Sequence, residues 1–200
     1  MENNTRPFLL KRFAADGFDI TCLFVLFMLL SVLLRNTALF ATYNMHVANY
    51  MAIQQEVVAS NDWEDVNEIL NNDERYQNEV FAAVLHSNLI AIFIGFIGET
   101  VLYLIIPLID KDGLTLGKKL CGIMLFDERR QTKARKWQIV YRFVLIVLAG
   151  AALYPWTGIY TFLLYPVLRF IVLILNRKNK TLCDLLTSTM LIERESYSSI

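Results

Sequence analysis

Two hundred residues at 56% hydrophobic leave little room for a separate soluble domain, and 19 basic residues offset 19 acidic ones to a net charge of zero. That balance, with no interleaving of basic and aromatic residues, excludes an electrostatic case for nucleic acid. The zero conceals a strong alternation of charge along the chain.

Arg6, Lys11 and Arg12 precede a first apolar run, Phe18–Leu34. A membrane span needs ~20 mostly apolar residues for a ~30 Å hydrocarbon core. The run is too long for the core of a cleaved leader, and Asp16 and Asp19 stand at its start, so it reads as a retained span. Met45, Tyr50, Met51, Ile53, Val57 and Val58 read as a continuation of that helix beyond the membrane. The segment Thr42–Glu79 holds eight acidic residues and one basic residue, Arg75. Asn61–Asp65 reads as a helix start, with carboxylates at the positive end of the dipole. Val66, Ile69 and Leu70 follow at helical spacing, so residues 42–80 form a small helical lobe. Its acidity is either a solvated face or a mouth that attracts cations. His46 and His86 approach the same region without supporting ligands, and no metal site is expected there.

The second span is Leu89–Leu108. Ala91, Gly95 and Glu99 recur every four residues on one face, and small residues at that spacing allow close helix approach. Glu99 falls near the midplane. A charge there costs at least ~2.5 kcal/mol, so it should face the bundle and find a partner. The next polar segment, Lys111–Lys136, carries eight basic residues against Asp112, Asp127 and Glu128. Short basic loops stay cytoplasmic, which puts residues 111–136 inside and 42–80 outside. Gly113–Lys119 superficially resembles a phosphate loop, but its glycines are one residue too close and Lys119 stands where Ser or Thr should be.

Ile139–Leu153 is a short third span with Arg142 about one turn inside, able to snorkel to the inner surface. A turn at Tyr154–Gly158 leads to a fourth span, Trp156–Leu175, so these two form a helical hairpin. Arg169 lies at a depth from which it can reach Glu99. The pair reads either as buried polar glue or as part of a proton or cation pathway. Arg177, Lys178 and Lys180 follow. Four spans place both termini in the cytoplasm with the basic loop. None of Cys22, Cys121 and Cys183 lies in the outer segment, so no disulfide is expected.

The expected architecture is all-α: a polytopic membrane protein of four transmembrane helices, the third and fourth as a hairpin, with a small helical outer lobe. It forms one membrane domain over residues 1–200. No His-x-x-x-His, paired Cys-x-x-Cys or Gly-x-Ser-x-Gly occurs, so neither an enzyme nor a bound cofactor is expected.

The segment Arg12-Phe13-Ala14-Ala15-Asp16-Gly17-Phe18-Asp19 resembles the opening motif of the RDD family of membrane proteins, named for one arginine and two aspartates. Gly113-Leu114-Thr115-Leu116-Gly117-Lys118-Lys119-Leu120-Cys121-Gly122-Ile123 resembles its central loop motif. Lys180-Thr181-Leu182-Cys183-Asp184-Leu185-Leu186-Thr187-Ser188-Thr189 resembles its closing motif, with Asp184 as the second aspartate. The three occur in the family's order and bracket nearly the whole chain. Two features depart from the pattern: Cys183 stands where many relatives have His, and the acidic segment after the first span is unusually long.

The resemblance implies a multi-span helical protein of the bacterial cytoplasmic membrane, in a family of poorly defined function. Some relatives are described as sodium/proton antiporters, others as accessory subunits. Arg12, Asp19 and Asp184 then read as a charge cluster joining the two ends of the chain, either to fix the fold or to carry ions. Glu99, Arg142 and Arg169 are the further candidates. Two functional classes follow. One is a transporter that acts as a homo-oligomer, exchanging protons for a monovalent cation at Asp19 and Glu99 or moving another small solute. The other is a scaffold that binds a partner in a membrane complex.

Overall fold

The computed structural model describes residues 5–60, 65–157, 171–172 and 180–193. Helix α1, Thr5–Leu34, begins well ahead of the apolar run and carries Arg12, Asp16 and Asp19 within one continuous helix. It stops at a break where the Thr37 hydroxyl donates to the Leu34 carbonyl at 2.6 Å and the Thr37 N–H to the same oxygen at 2.9 Å. The apolar residues expected to prolong α1 therefore belong to a separate helix, α2, Ala38–Ser60.

Helix α3, Val66–Asn72, and helix α4, Glu74–Thr100, follow. Asp73 caps α4, its carboxylate accepting from the Arg75 N–H at 2.8 Å and the Tyr76 N–H at 3.4 Å. α2 and the start of α4 run antiparallel, because His46 meets Glu79 while Tyr50 meets Tyr76 edge-on at 6.2 Å. α3 closes the far end, where Val57, Val66 and Leu70 form a small core.

α4 passes without a stop through a π-helical turn, Val101–Ile105, into α5, Ile106–Ile109. Pro107 explains the turn. It offers no N–H to the Tyr103 carbonyl and its ring crowds that oxygen, and the Ile106 N–H reaches five residues back to Val101.

The basic segment is not a plain loop. It holds helix α6, Leu116–Leu120, and strands β1, Ile123–Asp127, and β2, Thr132–Lys133. A third strand, β3, Thr189–Glu193, pairs with β1 from the end of the chain, giving the antiparallel order β2-β1-β3. Leu125 lies opposite Leu191, and Phe126 opposite Met190 and Lys133. Every residue of β1 is buried, so both of its faces are covered. This sheet adds to a fold that is otherwise helical, and the all-α reading lacked it.

Helix α7, Lys136–Thr157, runs unbroken through Tyr154–Thr157, where a turn was expected. Most of the expected fourth span, Trp156–Leu175, lies outside the described residues, as does Arg169. A short helix, α8, Leu182–Thr187, precedes β3.

Among the described residues, three stretches are long and apolar enough to cross a membrane: Phe8–Leu34, Glu74–Ile109 and Lys136–Tyr154. Their exposed apolar side chains, among them Phe24, Val32 and Leu148, form the kind of surface a bilayer covers. The chain divides into two compact units, Met28–Ile94 and the remainder, Met1–Phe27 with Gly95–Ile200. In the latter, Ala15, Leu114, Ile123, Met124, Leu125, Ile139 and Leu191 build the core. There α1 and α4 approach closely at Gly98, where an added Cβ would stand 3.0 Å from Leu23 Cδ1.

Candidate functional site

Along α1, burial follows one narrow stripe. Arg12, Ala15 and Asp19 are 3%, 0% and 1% exposed, while Leu10, Phe13 and Phe18 on the other faces are largely exposed. The spacing i, i+3, i+7 brings the three to one line of the helix. Asp16, which shares that stretch, is only half-buried.

Arg12 reaches the other end of the chain. Its guanidinium donates to Asp184 Oδ2 at 3.1 Å, across 172 residues of sequence. Asp184 is 1% exposed and is also the third residue of α8. There it completes a capping box. The Thr181 N–H donates to Asp184 Oδ2 at 2.9 Å, and the Asp184 N–H donates to the Thr181 hydroxyl at 3.2 Å. The remaining oxygen, Oδ1, takes Arg142 Nη1 at 2.5 Å. Arg142 was expected to snorkel from the third span. Instead it is buried and turned toward α8, because Asp184 lies within its reach.

Burial alone would raise the Asp184 carboxyl. The charges of Arg142 and Arg12, helped by the Thr181 N–H, outweigh that and hold it well below the usual carboxylate range. Asp184 therefore stays ionised at physiological pH.

Arg142 also starts a hydrogen-bond relay. Its Nη1 donates to Thr189 Oγ1 at 2.6 Å. Thr187 donates to the Cys183 carbonyl at 2.6 Å, so Thr189 is the donor in the 2.7 Å contact between the two hydroxyls. Gln138, fully buried, donates to the Thr187 carbonyl at 3.2 Å and accepts from the Arg135 N–H at 2.7 Å. Arg142, Thr187, Thr189 and Gln138 are thus each bonded to a neighbour within the network, the kind of linkage that rigidifies a fold.

Asp19 does not join this cluster through a hydrogen bond. It turns to the central loop, where Oδ2 accepts from the Thr115 hydroxyl at 2.5 Å and Oδ1 from the Gly117 N–H at 2.8 Å. Asp19 thus caps α6 from outside the helix, satisfying an N–H that Thr115 leaves open. Gly117 permits the contact, since α6 lies directly on the α1 backbone at Ala15. Gly122, at φ +65°, makes the turn from α6 into β1. Lys118 is buried, and Lys119 pairs with Asp110 at 2.6 Å. Burial raises the Asp110 carboxyl, but Lys119 and the Leu114 and Asp112 N–H groups bring it below its ordinary value.

The family-motif charges thus divide into two joints. Arg12, Arg142 and Asp184 tie α1 and α7 to the closing segment, and Asp19 ties α1 to the central loop. Glu99 stands apart. It is half-buried near the end of α4, and among the described residues it has no hydrogen-bond or ion-pair partner. Arg169, its expected partner, falls outside those residues. Sequence reasoning missed Gln138, and it placed Thr115, Thr187 and Thr189 in the motifs without giving them a role. Only Thr115 carried a usable signal, a Thr directly before a short helix.

The profile of the RDD family matches residues 6–188, a range that holds the first two motifs, the third as far as Ser188, and both joints. Neither a curated protein nor a solved structure matches the chain. With nearly the whole sequence covered, the chain belongs to the RDD family, a family of membrane proteins of poorly defined function.

Proposed function

We propose that this is a multi-pass protein of the cytoplasmic membrane that exchanges protons for small monovalent cations, with Glu99 as the exchanging carboxylate. One contrast supports the reading. Asp19 and Asp184 have both oxygens engaged by donors, whereas Glu99 has no partner among the described residues of a membrane-crossing helix. A carboxylate in a span is costly and marks a pathway often enough to be functional by default. The π-helical turn begins two residues after Glu99, and such turns recur at functional sites. On this reading the protein is not an enzyme, and a chain with so few spans acts as a homo-oligomer.

The test is Glu99→Gln in the full chain, purified and reconstituted into vesicles under sodium or potassium gradients. Gln keeps the size and hydrogen bonding but removes ionisation. The variant is expected to melt like wild type and to lose cation-driven proton movement. A well-folded Glu99→Gln protein with full exchange eliminates Glu99 and this reading with it.

The engaged state of Asp19 and Asp184 favours a second reading, a non-catalytic accessory subunit. The motif charges then only hold helices, and partner binding falls to the acidic lobe or the basic segment. Well-folded wild type with no exchange under any cation gradient would favour it.

Orientation follows from charge. The basic segment 111–136 and both termini face the cytoplasm, and residues 42–80 face outward. In a cysteine-free background, a cysteine at Asn71 should react with an impermeant thiol reagent applied outside intact cells, and one at Gln131 should not. The opposite pattern reverses the topology.

A further inference from the structure

Within the unit Met28–Ile94, two histidines face each other. The rings of His46 on α2 and His86 on α4 have centroids 5.1 Å apart and planes tilted by 34°. Hydrogen bonds fix which nitrogen of each ring carries the proton. His86 Nδ1 lies 2.8 Å from the Ala82 carbonyl oxygen, which can only accept. His46 Nδ1 lies 2.6 Å from Glu79 Oε2, and an ionised carboxylate also only accepts. Both Nδ1 atoms therefore donate, and in the neutral rings both Nε2 atoms carry the lone pair. Among the described residues neither Nε2 has a hydrogen-bond partner. Asn49 in turn holds Glu79, its Nδ2 donating to Oε1 at 3.3 Å.

Metal-binding imidazoles are oriented in this way, with one ring N–H tied to a carboxylate or carbonyl and the other nitrogen open. We propose that His46 and His86 together bind one divalent transition-metal ion of the zinc class through their Nε2 atoms. Glu79 and the Ala82 carbonyl hold the rings in place for it. With metal–nitrogen distances of roughly 2.0–2.1 Å and a tetrahedral angle, two ring centroids fall roughly 5 Å apart. The observed separation agrees.

No third His, Cys, Asp or Glu joins the pair among the described residues, so water fills the remaining positions. Two imidazoles without a thiolate suit zinc, nickel or copper and reject magnesium and calcium. Open positions make the ion exchangeable, unlike the closed four-ligand shell of a structural site. A metal titration distinguishes a ligand pair from rings that merely stack. The proposal concerns this unit alone and does not depend on Glu99.

The chain has only two histidines, which makes the test direct. The full protein, purified without a histidine tag, is titrated with Zn²⁺ and followed by the NMR signals of its histidine rings. Both rings should shift together and saturate at one ion per chain. His46→Ala and His86→Ala should each abolish that binding. Glu79→Ala should weaken it about 10–100-fold, although Glu79 does not touch the ion. Folding of each variant is checked by its melting temperature without metal. Should a variant not fold, the wild-type signals decide alone, since histidine rings unmoved by zinc overturn the proposal. Undiminished one-ion binding by a folded variant lacking both histidines overturns it equally.

Discussion

Replacing Asp184 by alanine is expected to remove about 3–5 kcal/mol of stability, because it strands two buried guanidinium groups at once. Arg12 and Arg142 both point at this carboxylate and both are buried. The substitution also breaks the capping box at Thr181, worth about 1 kcal/mol by itself. Melting temperature in detergent and abundance in the membrane should both fall. Removing the charges together, as Arg12→Met, Arg142→Met and Asp184→Leu, should recover part of the loss, since an apolar replacement of a whole buried cluster is often close to neutral. The pH dependence has a definite sign. The folded-state pKa of Asp184 lies below its unfolded value of about 3.9. Its contribution is therefore complete above that value and lost only as pH falls through the folded pKa. Between about pH 8 and pH 5 this group should leave the melting temperature unchanged. An Asp184→Ala protein as abundant and heat-resistant as wild type would refute the structural role of the cluster.

The parts legible in the sequence were those that depend on position along the chain. Helix α1, the apolar stretch of α4 and the short helix α3 with Val66, Ile69 and Leu70 follow from run length and spacing alone. The break at Arg35–Thr37 did not, because a three-residue interruption leaves hydrophobic periodicity nearly intact. Arg142 illustrates the limit for the site. Its place in α7 gives a depth, and depth alone suits snorkelling. Which way the side chain turns depends on where α8 sits, and that is set by pairing across 42 residues. Strand β1 had a signal that was not weighed. Ile123–Phe126 is a short apolar run bounded by Gly122 and Asp127, the mark of a fully buried strand. Reading residues 111–136 by charge treated them as solvent-exposed loop, and the strand was lost in the average. The roles of Gln138, Thr187 and Thr189 could not be read for a related reason, although the last two stand in the closing motif. An uncharged polar residue is ordinary on a surface, and only the packed structure reveals that it is buried and bonded.

Of the alanine substitutions at Gly117, Gly122 and Gly150, that at Gly117 should be the most damaging. A Cβ at this position would overlap the Ala15 carbonyl oxygen and stand 2.9 Å from Asp19 Oδ1. Neither obstacle is the loose end of a long side chain. One is the backbone of α1, and the other is the carboxylate that holds the Gly117 N–H. α6 must retreat from α1, which stretches both bonds to Asp19. Overpacking of this kind costs about 1–3 kcal/mol, and a buried carboxylate deprived of its donors adds about 1–3 kcal/mol. Two other glycines calibrate the result. Gly122 has open space around it but φ +65°, so its alanine variant pays only for the left-handed backbone, about 1–2 kcal/mol. Gly150 lies in α7 with nothing within 4 Å, and alanine there should be neutral or stabilising by up to about 1 kcal/mol. Melting temperatures should therefore fall in the order Gly150→Ala, Gly122→Ala, Gly117→Ala. If Gly117→Ala melts with Gly150→Ala, α6 does not rest on α1. Asp19 would then have no loop to cap, and its burial would need another partner to balance its charge.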